Sequence, residues 1–226
     1  MMIDQTIQVD YPKLEITGLD LKFPVSRVFG IGRNFSEKVE SEQKNENNVV
    51  LFMKDAFMLS DADLGIMYPN NSDQLRYEIE LVVAIGQHGK NIDPEEADDY
   101  IYGYGVGIDF TKYDHQDIAK KNGWPWDQGK SFEGCAPISS ISKKEDFQPN
   151  ANRIWLKKND ELVQDGTLGQ MIWSVNEVVA LISRRFNLQP GDLIFTGTPT
   201  GIGMVTRGDV LEGGVEGLST IKVKVN

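Results

Sequence analysis

Residues 77–86, YEIELVVAIG, narrow the fold of this chain more than any other stretch. They are rich in β-branched and aliphatic residues, no proline interrupts them and a glycine ends them, so they read as a strand. Successive side chains on a strand alternate faces. Glu78 and Glu80 therefore share a face with Val82 and Ala84, while Ile79 and Leu81 point the other way. Two carboxylates on a face that turns apolar would repel each other and lose hydration at considerable cost. A bound divalent cation removes both costs; a solvent-facing strand edge avoids them. With no histidine or cysteine beside them, oxygen-only donors suit Mg²⁺ or Mn²⁺, with Ca²⁺ as a substitute, better than zinc.

A second run, IYGYGVGIDF at 101–110, has the glycine and aromatic alternation of a closely packed strand, and it ends on Asp109. If the two strands are neighbours, Asp109 is a third oxygen ligand. Otherwise it is an ordinary strand-end aspartate.

The rest of the chain has no βαβ rhythm. Residues 28–35 and 49–53 read as buried strands around EKVESEQKNENN (37–48), a stretch whose one hydrophobic residue is Val39, read as a solvated, mobile lid. Asp93-Pro94 opens a short helix to about Asp99. Asp114 caps DIAKK, which Gly123 ends, and Ser174 with Glu177 forms a capping box before an apolar stripe of Val175, Val178, Val179 and Ile182. A hairpin turns at Asn159-Asp160, Pro190-Gly191 leads into DLIFTG, and STIKVKV is a final strand. Many strands and few short helices imply a β-rich α+β fold, a single catalytic domain over 1–226 with residues 1–27 as an N-terminal appendage.

The chain carries 23 basic and 34 acidic residues, a net charge of −11. That balance argues against nucleic acid and against an anionic membrane surface as partners. No apolar run reaches the ~18 residues of a membrane helix, and MMIDQTIQVDYPKLEI lacks the basic-then-apolar order of a secretory signal, so a cytoplasmic protein is expected. Cys135 stands alone, which excludes an intrachain disulfide, and reads as a small buried side chain.

The loop Thr196–Gly203, TGTPTGIG, offers backbone N–H groups and hydroxyls at Gly197 and Thr198 that can grip a carboxylate, or it is a tight strand-exit turn. Gly30–Asn34 presents Arg33 to a pocket or allows close strand packing. Lys130, after Trp124-Pro125-Trp126, is either an exposed lysine or a cation that neutralises a substrate carboxylate or enolate. The tryptophans read as packing residues. His88 and His115 have no nameable activating partner.

Taken in order, GIGRNF (30–35), LFMK (51–54), YEIELVVAIG (77–86), GYGVGIDFTKYDHQ (103–116), WDQGKSFEGCAP (126–137), QMIWSVNEVVALIS (170–183) and GDLIFTGTPTGIG (191–203) resemble the fumarylacetoacetate hydrolase family. The similarity is to its small single-domain branch of acylpyruvate hydrolases and oxaloacetate-processing enzymes, from about Val28 to the C-terminus. The resemblance implies a mixed β-sheet roll, a homodimer, and Mg²⁺ or Mn²⁺ held by Glu78, Glu80 and Asp109. It makes Lys130 the active-site lysine and places Gln116 and the Thr198 region on the substrate. The implied reaction is hydrolysis of a C–C bond in an acylpyruvate- or fumarylpyruvate-like 2-oxo acid, through an enolate stabilised by the cation.

The chain departs from that family in three places. The histidine and glutamate with which hydrolytic members activate water are replaced by Lys38 and Ser41. An arginine after the metal aspartate is Tyr113, and a proline after the strand lysine is Asp55. An ordinary lysine is protonated near neutral pH and takes no proton from water. Lys38 is thus catalytic only with a lowered pKa, and Glu40 or Glu42 either supplies the missing acid or forms an exposed i,i+4 pair. The missing pair favours an alternative, an isomerase, tautomerase or decarboxylase of oxaloacetate-like acids. A third reading is a metal-dependent binding protein without turnover.

Overall fold

The computed structural model describes residues 10–61 and 65–226; the first nine residues of the expected appendage lie outside these. β1 (Lys13–Ile16) and β2 (Leu19–Pro24) form a hairpin, followed by β3 (Arg27–Gly32), β4 (Val50–Lys54) and β5 (Leu59–Asp61). β6 (Leu75–Tyr77) runs into β7 (Ile79–Ile85), and β8 (Ile101–Ile108) into β9 (Thr111–Lys112). α1 (Tyr113–Asn122) and α2 (Asp127–Lys130) lead to β10 (Ala136–Ile138) and β11 (Ser142–Lys143). The hairpin β12 (Arg153–Lys158) and β13 (Glu161–Thr167) precedes α3 (Val175–Arg185). β14 (Asp192–Phe195), β15 (Gly203–Met204), β16 (Val210–Val215) and β17 (Ile221–Lys224) complete the chain.

The central sheet runs β4-β3-β14-β7-β8-β10-β5, with β11 also on β8. It is mixed, because β14–β3 and β10–β5 pair in parallel and the other pairs are antiparallel. A four-stranded sheet, β13-β12-β16-β17, and a small sheet, β15-β6-β9, accompany it. With three α-helices among the described residues, this is the β-rich mixed-sheet roll the sequence implied.

The alternation along β7 holds. Ile79, Leu81, Val83 and Ile85 enter a core shared with α3 and with Ile154, Leu156 and Leu211 of the second sheet. Val82 and Ala84 enter a separate core with Val28, Leu193 and Phe195. β7 is thus apolar on both faces, each fully buried aliphatic side chain stabilising by about 1.5–3 kcal/mol. The capping box holds too: Ser174 Oγ accepts from Glu177 N, Glu177 Oε2 accepts from Ser174 N, and α3 buries Val175, Val178, Val179 and Ile182.

Local differences from the expected elements have physical causes. Asp93-Pro94 opens only turns and a 3-10 turn, Ala97–Tyr100, because Tyr100 O already bonds Gly86 N and the chain enters β8. Asp114 lies inside α1 rather than capping it, and its carboxylate accepts from Ser72 Oγ, Asp73 N and His115 N. Asp55, at the family's proline position, keeps a tight turn by accepting from Phe57 N at 2.9 Å. Residues 10–27 dock on the roll, with Thr17 N and Ile141 O at 2.9 Å and Phe23 and Val25 in the second core. No helix among the described residues is long and apolar enough to cross a membrane.

Candidate active site

Strand register assembles the three acids. In the β7–β8 pair, Glu80 faces Gly107 and Ile79 faces Ile108, so Asp109, one residue past the strand, stands beside Glu78. Asp109 N donates to Glu78 O at 2.8 Å. Carboxylate oxygens of Glu78, Glu80 and Asp109 lie within 4.8 Å of one another. The glycine opposite Glu80 is required by space: a Cβ at Gly107 would sit 2.6 Å from the Phe195 ring and 2.8 Å from Val82.

Each carboxylate is held differently. Glu80 Oε2 accepts from Gly197 N at 2.6 Å, and Gly197 has φ 95°, a left-handed conformation that favours glycine. Glu78 Oε2 accepts from Thr111 Oγ1 (3.1 Å) and Lys130 Nζ (2.5 Å). Asp109 Oδ2 accepts from Lys130 Nζ at 2.5 Å. Asp109 Oδ1 is an ion-pair partner of Lys54 Nζ at 2.8 Å, and that ammonium also donates to the carbonyls of Phe110, Lys130 and Cys135. Oδ1 is buried and has that ion pair in place of a well-directed hydrogen bond.

The electrostatics follow from this arrangement. Burial, then the charges of Asp109 and Glu78, push the Glu80 carboxyl well above the usual range. Burial also raises Glu78, although Lys130 opposes it. Burial alone would raise Asp109, but Lys130 and Lys54 outweigh it and hold that carboxyl below its ordinary value. Lys130 would lose its proton more easily through burial, yet Asp109 and Glu78 outweigh burial and keep it charged. Among these five groups, three carboxylates against two buried lysines leave one negative charge uncompensated. A hard divalent cation on an all-oxygen set meets that need.

These groups line a cavity of about 430 Å³, a size that suits a small-molecule ligand. Lys130, Arg33, Gln116, Gly197 and Thr198 line it together with the three acids. Arg33 has φ 60°, a strained conformation for a side chain of its size and one that functional sites often hold. Its neighbour Asn34 is structural: buried, it donates to the carbonyls of Trp173 and Thr196 and accepts from Trp173 N. Trp126 lines the cavity near Phe52, whereas Trp124, expected to pack, is 60% exposed just beyond the end of α1. His115 Nε2 meets the Asn71 carbonyl at 2.6 Å, and Cys135 is buried as expected.

Lys38 is exposed and is not among the residues lining the cavity. Glu42 accepts from Ser36 Oγ at 2.8 Å, and the side chain of Glu40 lies outside what the structure describes. The 37–48 segment forms two 3-10 turns, Val39–Ser41 and Glu46–Asn48, joined to α3 by Lys44–Glu177 (2.6 Å) and by Arg184 to Glu46.

Sequence reasoning missed Lys54, Gln164 and Arg76. Lys54 ends the apolar run VLFM as Asp109 ends GYGVGI, so the same oddity of a charge after buried residues pointed to it. Gln164 accepts from Ile79 N and donates to Thr198 Oγ1 and Pro199 O, bracing the glycine loop against β7 from a hairpin whose alternation looked ordinary. Arg76 precedes Glu78 by two residues and lines the same cavity.

A family model, fumarylacetoacetate (FAA) hydrolase C-terminal, matches residues 27–226. The chain belongs to the fumarylacetoacetate hydrolase family. Among curated relatives in this family, the mitochondrial oxaloacetate tautomerase FAHD1 of Rattus norvegicus is 36% identical over 197 residues, covering 86% of this chain and 89% of that protein. A fumarylpyruvate hydrolase of Ralstonia sp is 37% identical over 182 residues, covering 80% and 95%. The crystal structure of fumarylpyruvate hydrolase from Pseudomonas aeruginosa in complex with Mn²⁺ and pyruvate matches with a TM-score of 0.89 at 36% identity, covering 98% of each chain.

Proposed function

We propose that this chain is a divalent-metal-dependent enzyme that hydrolyses a C–C bond in 2-oxo acids of the acylpyruvate or fumarylpyruvate kind, with Mg²⁺ or Mn²⁺ at Glu78, Glu80 and Asp109. The observation that carries this reading is the carboxylate trio closed by Lys130, in a fold that matches a fumarylpyruvate hydrolase with bound Mn²⁺ and pyruvate. When bound, the cation supplies Lewis-acid stabilisation of negative charge that develops on the substrate's oxygens. Lys54 and Lys130 keep Asp109 ionised, and the Gly197 amide orients Glu80. Lys130 stays protonated, so it serves as a donor and a fixed positive charge, not as a base. The Phe52 ring, 4.6 Å from its ammonium, screens it from water.

Four cationic side chains, Arg33, Arg76, Lys120 and Lys130, line the cavity beside the three acids. The four outnumber the three acids, and a divalent cation adds to that local positive charge within an acidic protein, which draws an anionic acid in. Arg33, Gln116 and Thr198 supply donors for the carboxylate and keto oxygens.

A second reading, the tautomerisation or decarboxylation of oxaloacetate-like acids, is favoured by one observation: among the described residues no imidazole lines the cavity. Proton transfer and loss of CO₂ do not need an activated water, whereas hydrolysis does. Hydrolysis needs a proton acceptor for its water, and the candidates for that role, Lys38, Glu40 and Glu42, belong to the 37–48 segment.

The test is turnover of fumarylpyruvate and of enol-oxaloacetate with Mn²⁺ or Mg²⁺. Release of fumarate and pyruvate supports hydrolysis. Loss of enol-oxaloacetate without new products supports the tautomerase reading, and metal-dependent binding with no turnover of either acid defeats both. We further propose a cytoplasmic homodimer, in keeping with the family resemblance; a single-chain mass by sedimentation would exclude it.

A further inference from the structure

Arg76 sits on β6, paired with Thr111 on one side and Met204 on the other. Arg76, Glu78 and Glu80 all line the cavity, while the alternate residues Leu75, Tyr77 and Ile79 are buried in the core. The same-face alternation thus runs unbroken from the acids to this arginine. Its Nε is buried and has no hydrogen-bond partner. No carboxylate among the described residues pairs with the guanidinium. The guanidinium lies over an aromatic ring: Cζ is 3.4 Å from the centroid of the Tyr113 ring. A buried guanidinium N–H without an acceptor is costly, and arginine's planar fork matches a carboxylate.

Tyr113 stands where the family resemblance implies an arginine. With arginines at both 76 and 113, two guanidiniums would crowd one another. A tyrosine converts that repulsion into cation–π attraction and fixes the plane of the Arg76 fork. The same ring also faces Lys120 Nζ at 5.4 Å, and Lys120 in turn donates to Gln116 Oε1. Same-face residues two apart on a strand are separated by about 6.6 Å, the scale of a short dicarboxylic acid.

We infer that Arg76, stacked on Tyr113, is the specificity-determining residue that binds the distal carboxylate of a 2-oxo diacid, so that a positive charge usual on the helix is supplied from the strand instead. This rests on the reading of the cavity as a 2-oxo acid site. It predicts a preference for diacids over monoacids of the same head group, and places the origin of that preference on β6.

The experiment compares fumarylpyruvate, a diacid, with acetylpyruvate, a monoacid, on the Mn²⁺-loaded protein and on Arg76→Met, Arg76→Lys and Arg76→Met/Tyr113→Arg. Both acids are followed by steady-state kinetics and by calorimetric titration, so the Arg76 question is answered whether or not they turn over. If neither acid turns over, the functional reading fails while the binding ratio still tests Arg76. The wild-type diacid-to-monoacid ratio of affinity, or of kcat/KM, should fall at least tenfold in Arg76→Met, mainly through KM. Arg76→Lys should recover part of it, and restoring an arginine at position 113 should recover more. A ratio within twofold of wild type in Arg76→Met, or equal weakening of both acids, overturns the assignment. Thermal melting of each variant separates misfolding from lost recognition.

Discussion

The strand wall of the cavity and the 37–48 segment, none of whose described residues lines the cavity, are built in different ways. On the β7–β8 side, strand register places the acids, buried lysines hold two of them, and a backbone amide orients the third. On the 37–48 side, single 3-10 turns meet α3 through pairs that are largely exposed, such as Lys44–Glu177 and Arg184–Glu46. A polar group in the first region cannot change without leaving a buried charge alone. In the second, solvent takes over most lost contacts. The carboxylate trio is therefore far more tightly constrained than the 37–48 segment, where Lys38 and Ser41 stand.

Removing a carboxylate from the rigid wall should give the largest effect. Glu80→Ala is expected to lower activity at least ~10³-fold and to abolish the Mn²⁺-induced rise in melting temperature, because coordination and folding share the same ligands. Wild-type Mn²⁺ affinity by calorimetry in this variant would remove Glu80 from the site. Next comes Lys54→Met. It removes one of the two buried cations that compensate Asp109 and should cost about 3–5 kcal/mol, as breaking a buried pair from one side does. In a domain of this size that is roughly 6–20 °C of melting temperature. A change under about 1 kcal/mol in denaturant titration would show that Lys130 alone compensates Asp109.

Much of the rigid wall was legible in the chain because it obeys alternation. The parity of Glu78 and Glu80, and the apolar residues that follow them, are properties of one strand. The nearness of Asp109 was not legible, since it depends on β8 pairing with β7 across the intervening segment in one register. Lys54 and Gln164 were missed because their partners are backbone carbonyls and a loop far along the chain. Lys130 was identified through resemblance, but the four-residue α2 that carries it is too short for periodicity to reveal. The 37–48 segment was the least legible. Its polar run predicted solvation, and nothing in that composition specifies where two isolated turns anchor.

Predictions for the 37–48 segment are smaller. Lys38→Met should leave tautomerisation of enol-oxaloacetate within about twofold of wild type, since an exposed ammonium outside the cavity transfers no proton there. A drop of tenfold or more would bring Lys38 into the reaction. The mildest change is Lys44→Ala, which removes the 2.6 Å contact to Glu177 and the cation facing the Trp173 ring at 5.4 Å. An exposed pair of this kind stabilises by about 0–1 kcal/mol. Its pH dependence has a definite sign. Burial would raise the Glu177 carboxyl, but Lys44 and the Ser174 amide and hydroxyl outweigh it and hold it below its ordinary value. A carboxyl depressed in the folded state contributes stability that is complete above its unfolded pKa, about 4.3, and is lost as pH falls through the folded value. The stability gap between wild type and Lys44→Ala should therefore be constant from about pH 6 to 8 and close in more acidic solution. A gap that stays unchanged on acidification would mean that Lys44 holds the segment through Trp173, not through Glu177.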